Sequence, residues 1–236
     1  MKKIVAVLIL LLGFIASYGQ EADSTITIIP DSTYEVHTDF IHIIYYIVSD
    51  STSEYYYPKL ENKVKNNKVK MTAEECYYLY YGRLFKPGQK ALPILASKER
   101  MDFERAIATE NKKAIINIGI PLLESNPVDL TVLMHVGRCL KERNDKRFEE
   151  YAWLYMKLLE AIFSIGNGQT PETAFKVIDI EDEHILKGAL GFIGGTESLY
   201  AREDLPGRIF TVWNRNGQKL YFEELCFEDK NGLQLK

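Results

Sequence analysis

The chain has little cysteine, and what it has excludes two common kinds of scaffold. Cys76, Cys139 and Cys226 are an odd number, lie far apart and form no C-x-x-C pair. Disulfide scaffolds use an even set of cysteines, and structural zinc sites use closely spaced pairs. The sequence therefore predicts neither. Cys76 and Cys139 lie within helical patterns, where they are predicted to be small core residues.

Long apolar runs are absent beyond the N-terminal segment, which excludes a membrane span in the rest of the chain. In that segment, two lysines precede an apolar run over residues 4–16, and small residues follow at Ser17 and Gly19. This order predicts a signal peptide over residues 1–19, with cleavage before Gln20. The alternatives are an uncleaved membrane anchor and a cytoplasmic start.

The sequence also lacks the features of several classes of protein. No cysteine lies near the cleavage point, so the predicted location is the periplasm or the extracellular space without a lipid anchor. The net charge is −4, and an acidic chain is a poor candidate for binding nucleic acid. There is no G-x-S-x-G elbow, no strand–helix unit around Gly188, Gly191 and Gly194, and no histidine pair at metal-binding spacing. No cofactor and no metal are predicted.

Hydrophobic periodicity predicts helices first and strands last. Thr72 and Glu75 form a capping-box pattern, and residues 99–165 predict three or four amphipathic helices, with a break near Asn111. Asn216-Gly217 lies between two β-type segments, which is a strong hairpin pattern. The predicted class is α+β, mainly helical with a small antiparallel sheet after the helices.

The predicted domain organisation follows from these segments. A leader and first element follow the signal peptide over 20–54, and a helical region covers 55–168. A small α+β region over 169–228 is predicted to form one domain with the helices, and 229–236 is a tail. The run from Phe40 to Val48 is ambiguous, because its β-branched and aromatic residues favour a strand whereas Thr38 and Asp39 suit a helix start.

Carboxylates cluster between residues 179 and 184, and they are the candidates for catalysis. Asp179 and Glu183 are the candidate acid or base groups, close to His184. A metal site there needs a second set of ligands, which the sequence does not indicate. The alternative is an acid-rich helix start after a strand, where negative charge complements the helix dipole.

Tyrosines are concentrated in two short segments, and three of them are candidates for binding. Tyr57, Tyr80 and Tyr81 can stack on sugars or line a peptide groove. The alternative is that these tyrosines pack in the helical core. The lysines between residues 59 and 70 are interpreted as a solvated helix face.

One stretch resembles a tetratricopeptide helical hairpin. It covers 114–151, where Pro127 and Gly137 stand at the positions of the proline and glycine of such repeats. About one and a half units are visible, and a free-standing solenoid needs three or more.

A wider resemblance covers residues 55–227. Five motifs carry it in order, and they are Tyr56-Tyr57-Pro58-Lys59-Leu60, Leu79-Tyr80-Tyr81-Gly82, Gly166-Asn167-Gly168 leading to Glu172-Thr173-Ala174-Phe175-Lys176-Val177, Leu190-Gly191-Phe192 with Gly194-Gly195, and Leu220-Tyr221-Phe222. Together they resemble a family of exported Bacteroidetes proteins, family 4919 of the domains of unknown function. The resemblance implies an envelope or secreted location and no particular reaction. Relatives typically have Glu-Tyr in place of Glu183-His184, so the resemblance argues against His184 as a shared base.

The sequence therefore predicts a non-enzymatic binding or interaction module of the cell envelope, with a protein or glycan as its partner. The alternative is a periplasmic or secreted hydrolase that uses the carboxylates around Asp179 and Glu183.

Overall fold

A computed structural model describes residues 25–28, 36–66, 68–86, 97–201 and 209–225. The predicted signal peptide over 1–19, its cleavage before Gln20, the predicted tail over 229–236 and Cys226 lie outside the described residues.

The chain divides into two compact units, one helical and one built on a sheet. Of the described residues, the helical unit takes those between 36 and 164, and the sheet unit takes 25–28 and those between 165 and 225. The helical unit contains α1 (Val36–Ser49), α2 (Tyr57–Asn66), α3 (Ala73–Gly82), α4 (Lys98–Ala108), α5 (Lys112–Ser125), α6 (Leu130–Glu142) and α7 (Phe148–Phe163). The sheet unit contains β1 (Thr25–Ile28), β2 (Phe175–Val177), α8 (Ile180–Ala189), β3 (Thr196–Ala201), β4 (Ile209–Arg215) and β5 (Gln218–Glu224). The predicted mainly helical α+β class is confirmed.

Local side chains determine where several helices begin. The predicted capping box precedes α3: Thr72 Oγ1 accepts from the backbone N–H of Glu75 at 3.1 Å, and Glu75 Oε2 accepts from the backbone N–H of Thr72 at 2.9 Å. Asn111, the predicted break, caps α5 by accepting from the backbone N–H of Ala114 at 3.0 Å.

The ambiguous run from Phe40 to Val48 is helical, within α1. Ile44 and Val48, one helical turn apart, are both buried. Burial of this stripe outweighs the strand preference of the β-branched residues, because tertiary packing routinely overrides local propensity.

Four consecutive helices, α4 to α7, form the main part of the helical unit. Each packs against the next, and α7 also packs against α3. Their short connections make neighbouring helices antiparallel, so that alternate helices such as α5 and α7 run in the same direction. Cys76 and Cys139 are free and buried in this core, as predicted.

One carboxylate joins two of these helices. Asp129 caps α6, because its Oδ1 accepts from the backbone N–H of Val132 at 2.9 Å. Its Oδ2 accepts from Nη1 of the buried Arg100 in α4 at 2.7 Å. Charge-assisted hydrogen bonds of this kind are stronger than neutral ones. The start of α6 is therefore tied to the start of α4.

The sheet has five strands in the order β1-β3-β4-β5-β2. Its centre, β3-β4-β5, is antiparallel, and β4 and β5 are joined by the predicted hairpin at Asn216 and Gly217, with φ of 52° and 82°. At the two edges, β1 pairs in parallel with β3 and β2 pairs in parallel with β5. The sheet is therefore mixed, whereas the sequence predicted an antiparallel one. A hairpin pattern predicts pairing only between strands that are neighbours in the sequence. The two edge pairs join strands far apart in the sequence, so the pattern could not predict them.

None of the helices in the described residues is both long enough and apolar enough to cross a membrane.

Two buried glycines in neighbouring helices have opposite surroundings. A Cβ on Gly119 of α5 would overlap the side chain of Val136 in α6 and lie 2.9 Å from Cε2 of Phe103 in α4. A Cβ on Gly137 of α6 would have no described atom within 4 Å beyond its own helix. Glycine at 119 is required by close helix packing, whereas glycine at 137 is not.

We expect Gly119→Ala to lower the free energy of unfolding by about 1–3 kcal/mol, because a crowded core must shift to accept the methyl group. Gly137→Ala is the matched control and should raise it by roughly 0.5–1 kcal/mol, because alanine favours the helix. Urea unfolding followed by circular dichroism measures both. A Gly119→Ala protein as stable as the Gly137→Ala protein would contradict the close packing.

Candidate functional site

The carboxylates predicted from the sequence have two different environments. Asp179 is exposed and caps α8, where its Oδ1 accepts from the backbone N–H of Glu181 at 3.0 Å. Glu183, one turn into the same helix, is 1% exposed. Asp179 therefore fits the alternative interpretation, in which the acidic residues mark the start of a helix. Glu183 does not, because its side chain is in the interior.

Glu183 faces two side chains of β4, Trp213 and Thr211. Its Oε2 accepts a hydrogen bond of 3.1 Å from the indole N–H of Trp213 in β4. Its Oε1 is buried and has no well-formed hydrogen bond to any described residue. A buried carboxylate oxygen without a partner is costly, and the cost falls when the carboxyl binds a proton.

The pKa of Glu183 follows from this environment. Burial raises it from 4.5 to about 7, and hydrogen bonding from Trp213 and the nearby Thr211 hydroxyl opposes the rise. The negative charges of Glu197 and Glu224 add to it. The carboxyl therefore exchanges its proton near neutral pH, which is the property required of a general acid or base.

Two further residues of α8 contact the same indole ring. Lys187, four residues after Glu183, is 7% exposed and places Nζ above the ring of Trp213. Burial lowers the pKa of Lys187 to about 8, against the charges of Glu197 and Glu183, which raise it. The exposed His184 meets the same ring at 5.5 Å between centroids. Sequence analysis missed Lys187 and Trp213, although the spacing of Glu183 and Lys187 indicates a shared helix face.

The tyrosines predicted to bind a partner lie in the core of the helical unit. Tyr80 and Tyr81 are fully buried and meet edge to face at 4.9 Å, and Tyr57 is 4% exposed. These side chains are not on the surface of the folded unit, so a partner cannot contact them there. The core-packing interpretation fits their burial.

The helical unit contains a cavity of about 250 Å³ with an apolar floor. Its apolar lining comes from α2, α5, the turn after α5, and α7, and consists of Val64, Ile120, Leu123, Pro127, Tyr151 and Leu154. Lys65, Lys68 and Glu124 supply its charged groups. Lys68 Nζ lies 5.0 Å from the centre of the Tyr151 ring, a cation–π contact.

A second cavity, of about 140 Å³, lies at the start of the same two helices, α5 and α7. It is lined by Lys113, Ile116, Asn117, Arg143, Asp145 and Arg147. Asp145 accepts from Arg147 at 2.7 Å, and this hydrogen bonding holds the pKa of Asp145 down at about 2.

The two cavities lie end to end along α5 and α7. On α5, Ile116 of the second cavity is one turn from Ile120 of the first. Arg147, the residue just before α7, is four residues from Tyr151 on that helix. The same order on both helices agrees with their parallel direction. We call this feature the α5–α7 groove and define it by the lining residues of both cavities.

Four of the five lysines between residues 59 and 70 divide into two sets. Lys63 pairs with Glu75, and Lys59 donates to the carbonyl oxygen of Ser51 at 2.9 Å. Lys65 and Lys68 instead line the α5–α7 groove. The solvated-face interpretation therefore missed the groove, because the groove depends on α5 and α7, which lie far away in the sequence.

Comparison with known families identifies a match over most of the chain. The family whose sequence model matches is described as Domain of unknown function (DUF4919), and the match covers residues 42–205. No curated protein and no solved structure matches the chain. The family resemblance stated from the sequence motifs is confirmed, whereas the Bacteroidetes source and the tetratricopeptide relation stay predictions.

We expect Glu183 to make stability depend on pH. Its pKa is higher in the folded chain than in the unfolded chain, so its stabilisation is full below pH 4.5 and is lost as pH rises through about 7. The glutamine of Glu183→Gln cannot ionise. The free energy of unfolding of this variant, relative to that of the wild type, should therefore rise by up to about 3 kcal/mol between pH 5 and pH 8.5. Urea unfolding across this range measures the difference.

The matched control is Glu149→Gln, the same chemical change at an exposed carboxylate of α7. Its stability relative to the wild type should change little across the same pH range. The chain has two tryptophans, so in a Trp153→Phe background the fluorescence of Trp213 should titrate near pH 7 and lose that titration with Glu183→Gln. An unchanged pH profile in Glu183→Gln would contradict the raised pKa.

Proposed function

The chain belongs to the DUF4919 family, a domain of unknown function, and we propose that it is a non-enzymatic binding module. The α5–α7 groove carries this proposal. It offers a partner an apolar floor and charged rims, which is the usual composition of a binding site in a protein. One of its two main helices, α5, starts at the Asn111 cap, which fixes that side of the groove before a partner binds.

The proposed location is the periplasm or the extracellular space. The basic, apolar and small-residue order of residues 1–19 supports it. A protein or a glycan in those compartments is the proposed partner.

A hydrolase that uses Glu183 is the second candidate. The observation in its favour is burial of the carboxyl, which raises its pKa to about 7. A substrate reaches this carboxyl only if α8 moves away from the sheet, because Glu183 is 1% exposed. Neither of the two cavities of the α5–α7 groove is lined by Glu183. The binding module is therefore the better-supported proposal.

We expect Ile120→Trp to prevent binding in the groove. Ile120 is a half-buried residue of the apolar lining, and an indole there fills the space that a partner side chain would occupy. Affinity capture from envelope and medium fractions, with quantitative mass spectrometry, compares this variant with the wild type. At least one retained partner should fall by about tenfold or more, a loss of about 1.4 kcal/mol.

Met101→Trp provides the control. Met101 is 52% exposed on α4 and lines neither cavity of the groove, so this variant adds the same indole elsewhere and should retain every partner. Both variants need wild-type circular dichroism. If the Ile120→Trp variant keeps every partner, the groove is not the binding site.

A further inference from the structure

We infer that the α5–α7 groove binds a short peptide segment with an apolar centre and acidic flanks. This inference rests on the proposed binding function and adds the chemical class of the partner. Three features carry it: the length of the groove, the charge of its rims and the chemistry of its middle.

The length fits an extended peptide. On α5 the lining residues run from Lys113 to Glu124, and a helix rises 1.5 Å per residue, so the groove is roughly 17 Å long. An extended chain rises about 3.3 Å per residue, so about five residues span it. A small molecule that fits either cavity alone leaves the other one empty.

The charge of the lining favours an acidic occupant. The groove is lined by two acidic side chains, Glu124 and Asp145, and by five basic ones, which are Lys65, Lys68, Lys113, Arg143 and Arg147. The chain as a whole carries a net charge of −4, so this excess of positive charge is local. Such a surface attracts and orients a partner of opposite charge.

Three of these cations are available to a partner. Lys65, Lys113 and Arg143 make no ion pair with any residue in the described part of the chain. By contrast, Arg147 pairs with Asp145 at 2.7 Å. Lys65 lies at one end of the groove, and Lys113 and Arg143 lie at the other. This placement fits acids on both sides of an apolar centre.

The middle of the groove suits a peptide rather than a simple anion. Its floor includes Ile116, Ile120 and Leu123, and burying apolar side chains there is favourable by about 25 cal/mol per Å². A phosphate or sulfate ion gains nothing from that floor. Asn117, exposed at the lining, offers an amide that both donates to and accepts from a peptide backbone.

Fluorescence anisotropy with a defined probe tests this inference. The probe is a fluorescein-labelled peptide of about eight residues, with two acidic residues at each end and leucines between, long enough to pass both ends of the groove. We expect saturable binding to the purified chain. The double variant Lys65→Glu with Lys113→Glu should weaken binding at least about tenfold.

The double variant Lys98→Glu with Lys219→Glu is the matched charge control, because both lysines are exposed and line neither cavity. Its affinity for the peptide should stay within about twofold of the wild type. Two control peptides test the probe, one with serines in place of the leucines and one with lysines in place of the acids. Both should bind at least about tenfold more weakly. If the serine peptide binds as tightly as the leucine peptide, the site recognises only negative charge and the inference is wrong. The inference is also wrong if the leucine peptide does not bind, or if the Lys65→Glu with Lys113→Glu variant binds it as tightly as the wild type.

Failure of this inference is distinguishable from failure of the proposed function. If Ile120→Trp loses a captured partner but the acidic peptide does not bind, the groove stands and the peptide class is wrong. If Ile120→Trp loses no partner, the groove itself is wrong.

Discussion

The helical unit depends on the contact between α5 and α6, where Gly119 of one helix receives the side chain of Val136 from the other. A glycine lets two helices approach more closely than any other residue allows. Gly119 lines neither cavity of the α5–α7 groove, whereas Ile116 and Ile120 of the same helix do. The position of α5, and with it the shape of the groove, therefore depends on the close packing at Gly119.

The charged residues around Trp213 and those of the α5–α7 groove differ in how far they are buried. Around Trp213, Glu183 and Lys187 are both buried, and burial moves the pKa of each towards neutral pH, to about 7 and about 8. That arrangement costs stability whenever the groups are charged. In the α5–α7 groove, by contrast, Lys65 and Lys113 are exposed to solvent. Exposed charges above an apolar floor suit a surface that meets partners, whereas the buried pair suits proton exchange within the sheet unit.

Local patterns predicted the features that depend on a few neighbouring residues. The capping box at Thr72 and the hairpin at Asn216 are examples, because each is complete within four residues. Phe40 to Val48 was ambiguous, because its helical state depends on burial of Ile44 and Val48. The parallel edges of the sheet, the contact of Glu183 with Trp213 and the groove all join residues far apart in the chain, where periodicity gives no information. Glu183 was identified as a candidate, but its burial and its partner were not.

The most direct test of the binding module is site-specific photo-crosslinking from the groove. A benzophenone amino acid replaces Glu124, an exposed lining residue of the groove, in one protein and the exposed Met101 in another, and both are irradiated in envelope and medium fractions. If the groove binds a partner, a discrete covalent adduct forms from position 124 and none forms from position 101. Adducts from position 101 only, or the same adducts from both positions, would contradict this prediction.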